Sequence, residues 1–399
     1  MEQKEAKKRK GNTRRRESTR SKSILSFPLD LTREILSRLP LKSVVRFRCV
    51  SKLWSSLTTN PYFISSFGDN SSTRQTLLLC FTKGDKLFVS SIPQHTQDSN
   101  NSSPLPIERY HMKLPGYGFH DLTESVHGFI CVESSPNPLV WNPSMRSFLP
   151  LPNPTNHKSW NSKTLFLGYD PIEGKYKVVC IRYKKVSYVC RVLTLGSAQE
   201  SWRTVRTKHK HRAGYYTYGR CINGVIYYIA RDQCKPSGFG FVIMSFDVRY
   251  EKFKMIELPS NIDDPVLINY DGRLACSDSD NYNIRIRDNE RRLWILEDAE
   301  KHKWSTQDYL LPFDPISRTD MKLRGVTTAG EFVYVPPSFL KSYYILFLDP
   351  MGNSYRRFEF KGMADGGGES WPDYIVRHGM YDLNHFHAFP NHTESLMSL

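Results

Sequence analysis

The chain has 399 residues, 39% of them apolar, and a formal net charge of +16. That length and apolar content support a sizeable core, and no run of about 18 apolar residues is present to cross a membrane as a helix. The eight cysteines, at positions 49, 80, 131, 180, 190, 221, 234 and 276, form no Cys-x-x-Cys pair, which speaks against structural zinc, a redox motif or a disulfide framework and favours a reducing compartment, nucleus or cytoplasm.

Residues 1–25 hold ten Lys or Arg against three Glu and almost no large apolar side chain, so a disordered basic tail is expected. No apolar stretch follows the basic residues, so a secretory leader is not expected. Lys7, Lys8, Arg9 and Lys10 make a candidate nuclear import signal, or a nucleic-acid patch, and the plain alternative is a solvated tail with no reader. The remainder carries +9, and nucleic-acid binding through it would need that charge gathered on one face.

Residues 26–67 read as three short helices. Pro28 and Asp30 suit a helix start, Leu31, Ile35, Leu36 and Leu39 recur at helical spacing, and Pro40 stops the run. A brief second helix surrounds Val44 and Val45. In the third, Val50, Leu53, Trp54 and Leu57 follow the i, i+3, i+4, i+7 pattern up to Asn60-Pro61. A unit of about 40 residues cannot enclose so much apolar surface, so part of it must meet the rest of the chain or a partner.

The order PLDL, EIL, RLPLKSVVRFRCVSKLW and NPYF resembles the F-box, in the plant form found ahead of F-box-associated domains. The resemblance implies docking on the Skp-family adaptor of a cullin–RING ubiquitin ligase. It implies that Pro28, Leu29, Ile35, Leu36, Leu39, Pro40, Val44, Val45, Val50, Leu53 and Trp54 form the adaptor face or its supporting core. Phe27 departs from the Leu usual in the family, one apolar group for another.

From residue 68 the period shortens to that of strands. Turn glycines precede apolar strands at Gly84, Gly128, Gly174, Gly224, Gly272 and Gly330, at intervals of 44, 46, 50, 48 and 58 residues. This spacing suggests one four-stranded sheet per repeat. A second element, often closing on Leu-Pro, recurs at 139–152, 244–259, 293–312 and 345–360, with a degenerate version at 188–205. The segments WNPSMRSFLPLP, LGYDPIEGKYKVV and SFDVRYEKFKMIELP resemble the F-box-associated domain, and the architecture is kelch-like without the kelch double glycine. The expected fold is mainly β with a small N-terminal α domain: a three-helix F-box, then a propeller-like all-β domain of about six units over 68–384, and a C-terminal tail over 385–399. A pair of β-sandwiches is the alternative. Segments 94–109 and 362–370 read as loops.

Catalytic signatures are lacking: no GxSxG, GxxxxGK[ST], HExxH, or GxGxxG after a strand. His209 and His211 sit among cations, and His385 and His387 have only Asp382 as a nearby acidic ligand, so no metal is expected. Aspartates at 263, 264, 278 and 280 suit turns. Trp141, Trp202, Trp294 and Trp304 suit packing within the repeats, whereas Trp160 and Trp371, in loop-like contexts, are candidate anchors for a target protein. The expectation is a non-catalytic receptor subunit of an SCF-type ligase, with no cofactor, joining an adaptor (and through it a cullin) to a target protein. The alternatives are a nuclear nucleic-acid-associated protein acting through its tail and, behind it, a propeller enzyme.

Overall fold

A computed structural model describes residues 28–398 apart from 72–73, 84–85, 95–107, 114–120, 134–136, 155–159, 161, 198–200, 215–218, 233–239, 260–261, 263–264, 279–289, 312–320, 337–343, 353 and 360–385. The basic tail, the candidate import residues Lys7, Lys8, Arg9 and Lys10, Trp371, His385 and Gly84 lie outside the described residues.

Among the described residues four helices come first, α1 (Leu29–Ser37), α2 (Leu41–Phe47), α3 (Lys52–Thr58) and α4 (Pro61–Ser71), rather than the three expected. Asn60-Pro61 ends α3 but also starts α4. Proline needs no donor at a first helical position, and the Asn60 side-chain oxygen accepts the Tyr62 N–H at 2.9 Å.

The rest is β. Strands β1 (Thr76–Lys83), β2 (Lys86–Pro93) and β3 (Glu108–Lys113) form one sheet whose fourth member comes from the far end of the chain. A second sheet holds β4 (Asp121–Leu122), β5 (Ile130–Glu133), β6 (Leu139–Asn142) and β7 (Ser147–Pro150). Eight strands make the next: β8 (Lys163–Asp170), β9 (Lys175–Arg182), β10 (Ser187–Thr194), β11 (Arg203–Ala213), β12 (Arg220–Ile222), β13 (Val225–Asp232), β14 (Gly240–Asp247) and β15 (Phe253–Ile256). A fourth contains β16 (Pro265–Tyr270), β17 (Arg273–Asp278), β18 (Glu290–Asp298) and β19 (Lys303–Leu310). The fifth contains β20 (Lys322–Val326), β21 (Phe332–Val335), β22 (Tyr344–Asp349) and β23 (Ser354–Glu359). The last strand, β24 (Phe386–His392), pairs antiparallel with β1, setting Cys80 against His387 and Phe81 against Phe386. The arrangement is propeller-like, with four separate four-stranded blades and one eight-stranded sheet among the described residues where about six units were expected, because β11 and β13 pair and fuse two neighbouring sets of strands. The expected C-terminal tail over 385–399 is corrected. Residues 386–392 are a paired strand with buried Phe386 and Phe389, whose apolar residues are matched to β1.

Sheets buried on both faces need apolar residues at successive positions, and all four residues of β6 and of β21 are buried. Adjacent sheets share clusters: Leu78 and Cys80 with Ile130 and Trp141, Phe129 and Cys131 with Leu165 and Val178, Ile243 and Ile256 with Leu267 and Cys276. Trp202 and Trp304 lock neighbours by a second route. Their indole N–H groups donate to the carbonyls of Pro152 (2.6 Å) and Glu257 (3.1 Å) in the preceding unit, at the Leu-Pro segments seen in the sequence.

The recurring glycines earn their place in two-residue turns. In Asn223-Gly224 and Asp271-Gly272 both residues have positive φ (48° and 80°, 49° and 72°), the type I′ geometry that matches strand twist. His127-Gly128 repeats it. A Cβ on Gly128 would also lie 2.7 Å from Ser395 Cβ and 2.8 Å from the Thr393 carbonyl, so this turn is pressed against the end of the chain.

Candidate functional site

The helical unit has two apolar faces with different fates. Inward, Leu36, Leu41, Val44, Phe63 and Phe67 cluster with Leu396, and Leu39, Val45, Phe47, Trp54, Ile64 and Met145 pack around them. Phe47 and Trp54 meet edge to face at 4.9 Å. The Ser51 hydroxyl caps α3 by accepting the Trp54 N–H at 3.2 Å, which fixes where the indole leaves its helix.

Outward, Leu29 (46% exposed), Leu31, Ile35 (52%), Val50 (63%), Leu53 and Tyr62 (77%) meet solvent. Single exposed apolar residues are ordinary, but six on so small a unit, with its inner face already filled, leave much apolar surface without a partner in the chain. Charged pairs Asp30–Arg33 and Glu34–Arg38 flank it on α1.

The eleven residues singled out in the sequence therefore divide. Pro28, Leu29, Ile35, Pro40, Val50 and Leu53 are exposed, Leu39, Val45 and Trp54 are half-buried, and Leu36 and Val44 are core. Leu31 and Tyr62 belong to the exposed set and were missed as surface. The legible signal was spacing: Leu31 and Ile35 are i, i+4 neighbours, and Ile35 and Leu36 cannot share a face.

The helices are seated by the chain's end. The Glu394 carboxylate accepts the Leu41 N–H at 3.1 Å, in the first turn of α2, where Pro40 offers no side-chain cap. The Glu394 N–H donates to the Ser71 hydroxyl at 3.0 Å. Asn142 of β6 donates to the carbonyls of Ser395 (3.1 Å) and Met397 (2.9 Å), so the same segment is tied to the second sheet. Arg74 donates to the carbonyls of Arg38 (2.8 Å) and Ser37 (3.4 Å) and lies over the Phe67 ring.

Trp160 is not an exposed anchor. It is 7% exposed, packed with Leu165 and Cys180, and covered by the guanidinium groups of Arg182 (4.6 Å) and Arg191 (5.8 Å), because the following strand draws it between two sheets. His211 is also buried. Its Nδ1 donates to the His209 carbonyl at 2.9 Å and its Nε2 is hydrogen-bonded with the Tyr228 hydroxyl at 2.7 Å, so both ring nitrogens are engaged within the protein. Among the described residues no three His, Cys, Asp or Glu are grouped to hold a metal ion.

Buried polar groups in the β domain hold strands together. Arg220 of β12 donates to the carbonyls of Leu267 and Arg324, each at 2.8 Å, linking β16 and β20. Glu124, 3.6 Å from Arg220, accepts the Cys221 N–H at 2.7 Å, and burial pushes its carboxyl above the usual range. His392 lies 2.7 Å from the Ser125 hydroxyl, and burial pulls its pKa down to about 4.

Fold and surface together define a class: a small helical module with an exposed apolar face, joined to a propeller-like β domain. The model of the F-box domain matches residues 24–66, and that of the F-box associated beta propeller domain matches 76–393. Two putative F-box proteins of Arabidopsis thaliana are 54% and 49% identical to the chain, covering 100% of it and of themselves. An F-box protein of the same plant is 42% identical over 94% of this chain and 91% of its own. The chain belongs to the F-box proteins that carry an F-box associated β-propeller domain.

Proposed function

We propose that the chain is the substrate-recognition subunit of an SCF-type, cullin–RING ubiquitin ligase. The exposed apolar face of the helices docks a Skp-family adaptor, and through it a cullin, while the β domain holds a target protein. Catalysis is by proximity: the receptor raises the effective concentration of target lysines near the charged conjugating enzyme and needs no catalytic residue of its own. The observation that carries this reading is the outward set of Leu29, Leu31, Ile35, Val50, Leu53 and Tyr62 on a unit whose inner face is already satisfied.

We read the β domain as six blades. The eight-stranded sheet is two of them, β8–β11 and β12–β15, paired among the described residues where His211–Ala213 meets Ala230–Asp232. Six apolar clusters then lie between successive blades, the last joining Val333 and Phe347 to Leu77 and Leu79. We read Lys7, Lys8, Arg9 and Lys10 of the basic tail as a nuclear import signal and the protein as acting in the nucleus, the cytoplasm or both.

The test is co-purification of the full chain with a Skp-family adaptor, wild type beside Ile35→Asp and Leu53→Asp. A stoichiometric complex with wild type, lost in both variants while their thermal melts are unchanged, supports the reading. Soluble, folded wild type that forms no complex overturns it.

A further inference from the structure

The propeller's charge is not spread over it. Residues 68–399 carry +5, and the stretch from Arg182 to Arg212 by itself carries +8, nine Lys or Arg against Glu200 alone, so the rest of the β domain is slightly acidic. Strands β9, β10 and β11 contain no acidic residue. A cluster of that kind repels itself and is maintained only where it is useful or harmless.

Part of it is accounted for within the fold. Arg182 and Arg191 cover Trp160, and Arg203 pairs with Glu251, which also binds Lys177 at 2.7 Å. Arg206, Lys208, Lys210, Lys184 and Lys185 are different: none makes an ion pair among the described residues, and all but the half-buried Lys210 are exposed. Topology gathers them. Between Val189–Arg206 and Ser187–His211, five residue steps of β11 face two of β10, so Lys208 and Lys210 ride a bulge. The β9–β10 turn bearing Lys184 and Lys185 is drawn against that bulge by Arg212, which donates to the Tyr183 carbonyl at 2.7 Å, and by Lys210 over the Tyr188 ring at 6.0 Å. Bulges at a sheet edge re-aim side chains and recur beside functional sites.

We propose that this bulged basic edge is where the β domain takes an acidic, extended segment of its target protein. The inference rests on the reading of the β domain as the target-holding half. Carboxylates meet the five cations, two of them on the bulge and two on the turn held against it. Nucleic acid is the weaker fit, because sequence-tolerant single-strand binding uses aromatic rings as stacking platforms. Here Trp160 is buried under two guanidinium groups, and Tyr188, 51% exposed with Lys210 at 6.0 Å, is a single ring rather than a run of platforms. Exposed pairs contribute little singly, so recognition comes from several acting together and weakens with salt.

The test is fluorescence anisotropy of the full chain with a short labelled peptide alternating Glu and Ser, beside a labelled oligothymidine of matched charge. Wild type should bind the peptide. Lys208→Glu/Lys210→Glu, and the milder Arg206→Gln/Lys208→Gln, should bind it about tenfold more weakly or worse. The same charge change at Lys301 and Lys303, or in the tail at Lys8 and Arg9, should leave binding within about twofold. Three results overturn the proposal. One is loss of peptide binding in the tail variant but not in the bulge variants. Another is tighter binding of the oligothymidine, itself lost in the bulge variants. The last is no peptide binding by wild type, with the bulge variants aggregating, which would make the lysines guards of an open edge. Peptide binding requires no adaptor, so failure of the receptor reading shows separately, as a chain that binds peptide at β11 and forms no adaptor complex.

Discussion

Ile35 and Leu36 are neighbours in the chain and opposites in the fold, 52% and 1% exposed. On the proposed reading, Ile35→Asp removes adaptor binding and leaves the melting temperature alone. Leu36→Asp instead drives a carboxylate among Val44, Phe63, Phe67 and Leu396 and unfolds the helices, and Leu36→Ala costs about 2–5 kcal/mol from its cavity. Hydrogen exchange across α1–α4 separates the two outcomes. His392 makes a second residue-scale prediction. Its ring is held neutral, with a pKa near 4 against about 6.5 unfolded, so the unfolded chain binds the extra proton as pH falls. Its contribution is complete above pH 6.5 and is lost between 6.5 and 4, about 3 kcal/mol in all. Glu124 shifts the opposite way, upward, and its contribution is lost as pH rises, so the comparison must be wild type minus His392→Gln. That difference in urea-unfolding free energy should shrink steadily from neutral pH toward 4, and a flat difference would contradict it.

At the scale of elements, equal turns carry unequal loads. Gly272→Ala, with φ +72° and only Asn223 Nδ2 at 3.8 Å, should cost about 1 kcal/mol of left-handed strain. Gly128→Ala adds a clash with Ser395 Cβ and the Thr393 carbonyl, so it should cost clearly more and loosen the helices as well. Denaturant midpoints of the two variants, with exchange at α2, check this. Much of this scale was legible in the sequence. The spaced glycines marked the turns and the Leu-Pro segments marked the ends of strands, whereas Trp202 and Trp304, expected to pack within a repeat, bond across to the preceding one. What was not legible depended on distant pairing. Nothing local in residues 386–392 says that their partner is β1, and Trp160 reads as a loop residue until Arg182 and Arg191 close over it. The split between Leu36 inside and Ile35 outside was readable from helical spacing but needed Leu396, from the other end of the chain, to decide which side was in.

For the whole molecule, the last residues unite what the chain order separates. β24 completes the first sheet, and residues 394–396 then run on to α2, α4 and β6. Removing residues 394–399 should leave the β domain folded while exchange protection of α2 and α4 falls. Removing 386–399 should prevent cooperative folding altogether, since it bares β1 along Leu77, Leu79 and Phe81. Far-UV circular dichroism and thermal melts of the two truncations distinguish these outcomes.

During synthesis α1–α4 are made long before β24, the strand that completes the first sheet. A chain interrupted before β24 would carry the helices with β1 unpaired on one side and without the Glu394 and Leu396 contacts that seat them. β24 ends at His392 and Glu394 follows almost at once, so the strand that finishes the sheet and the residues that hold the helices emerge together. The order of translation thus couples the joint between helices and strands to the completion of the first sheet.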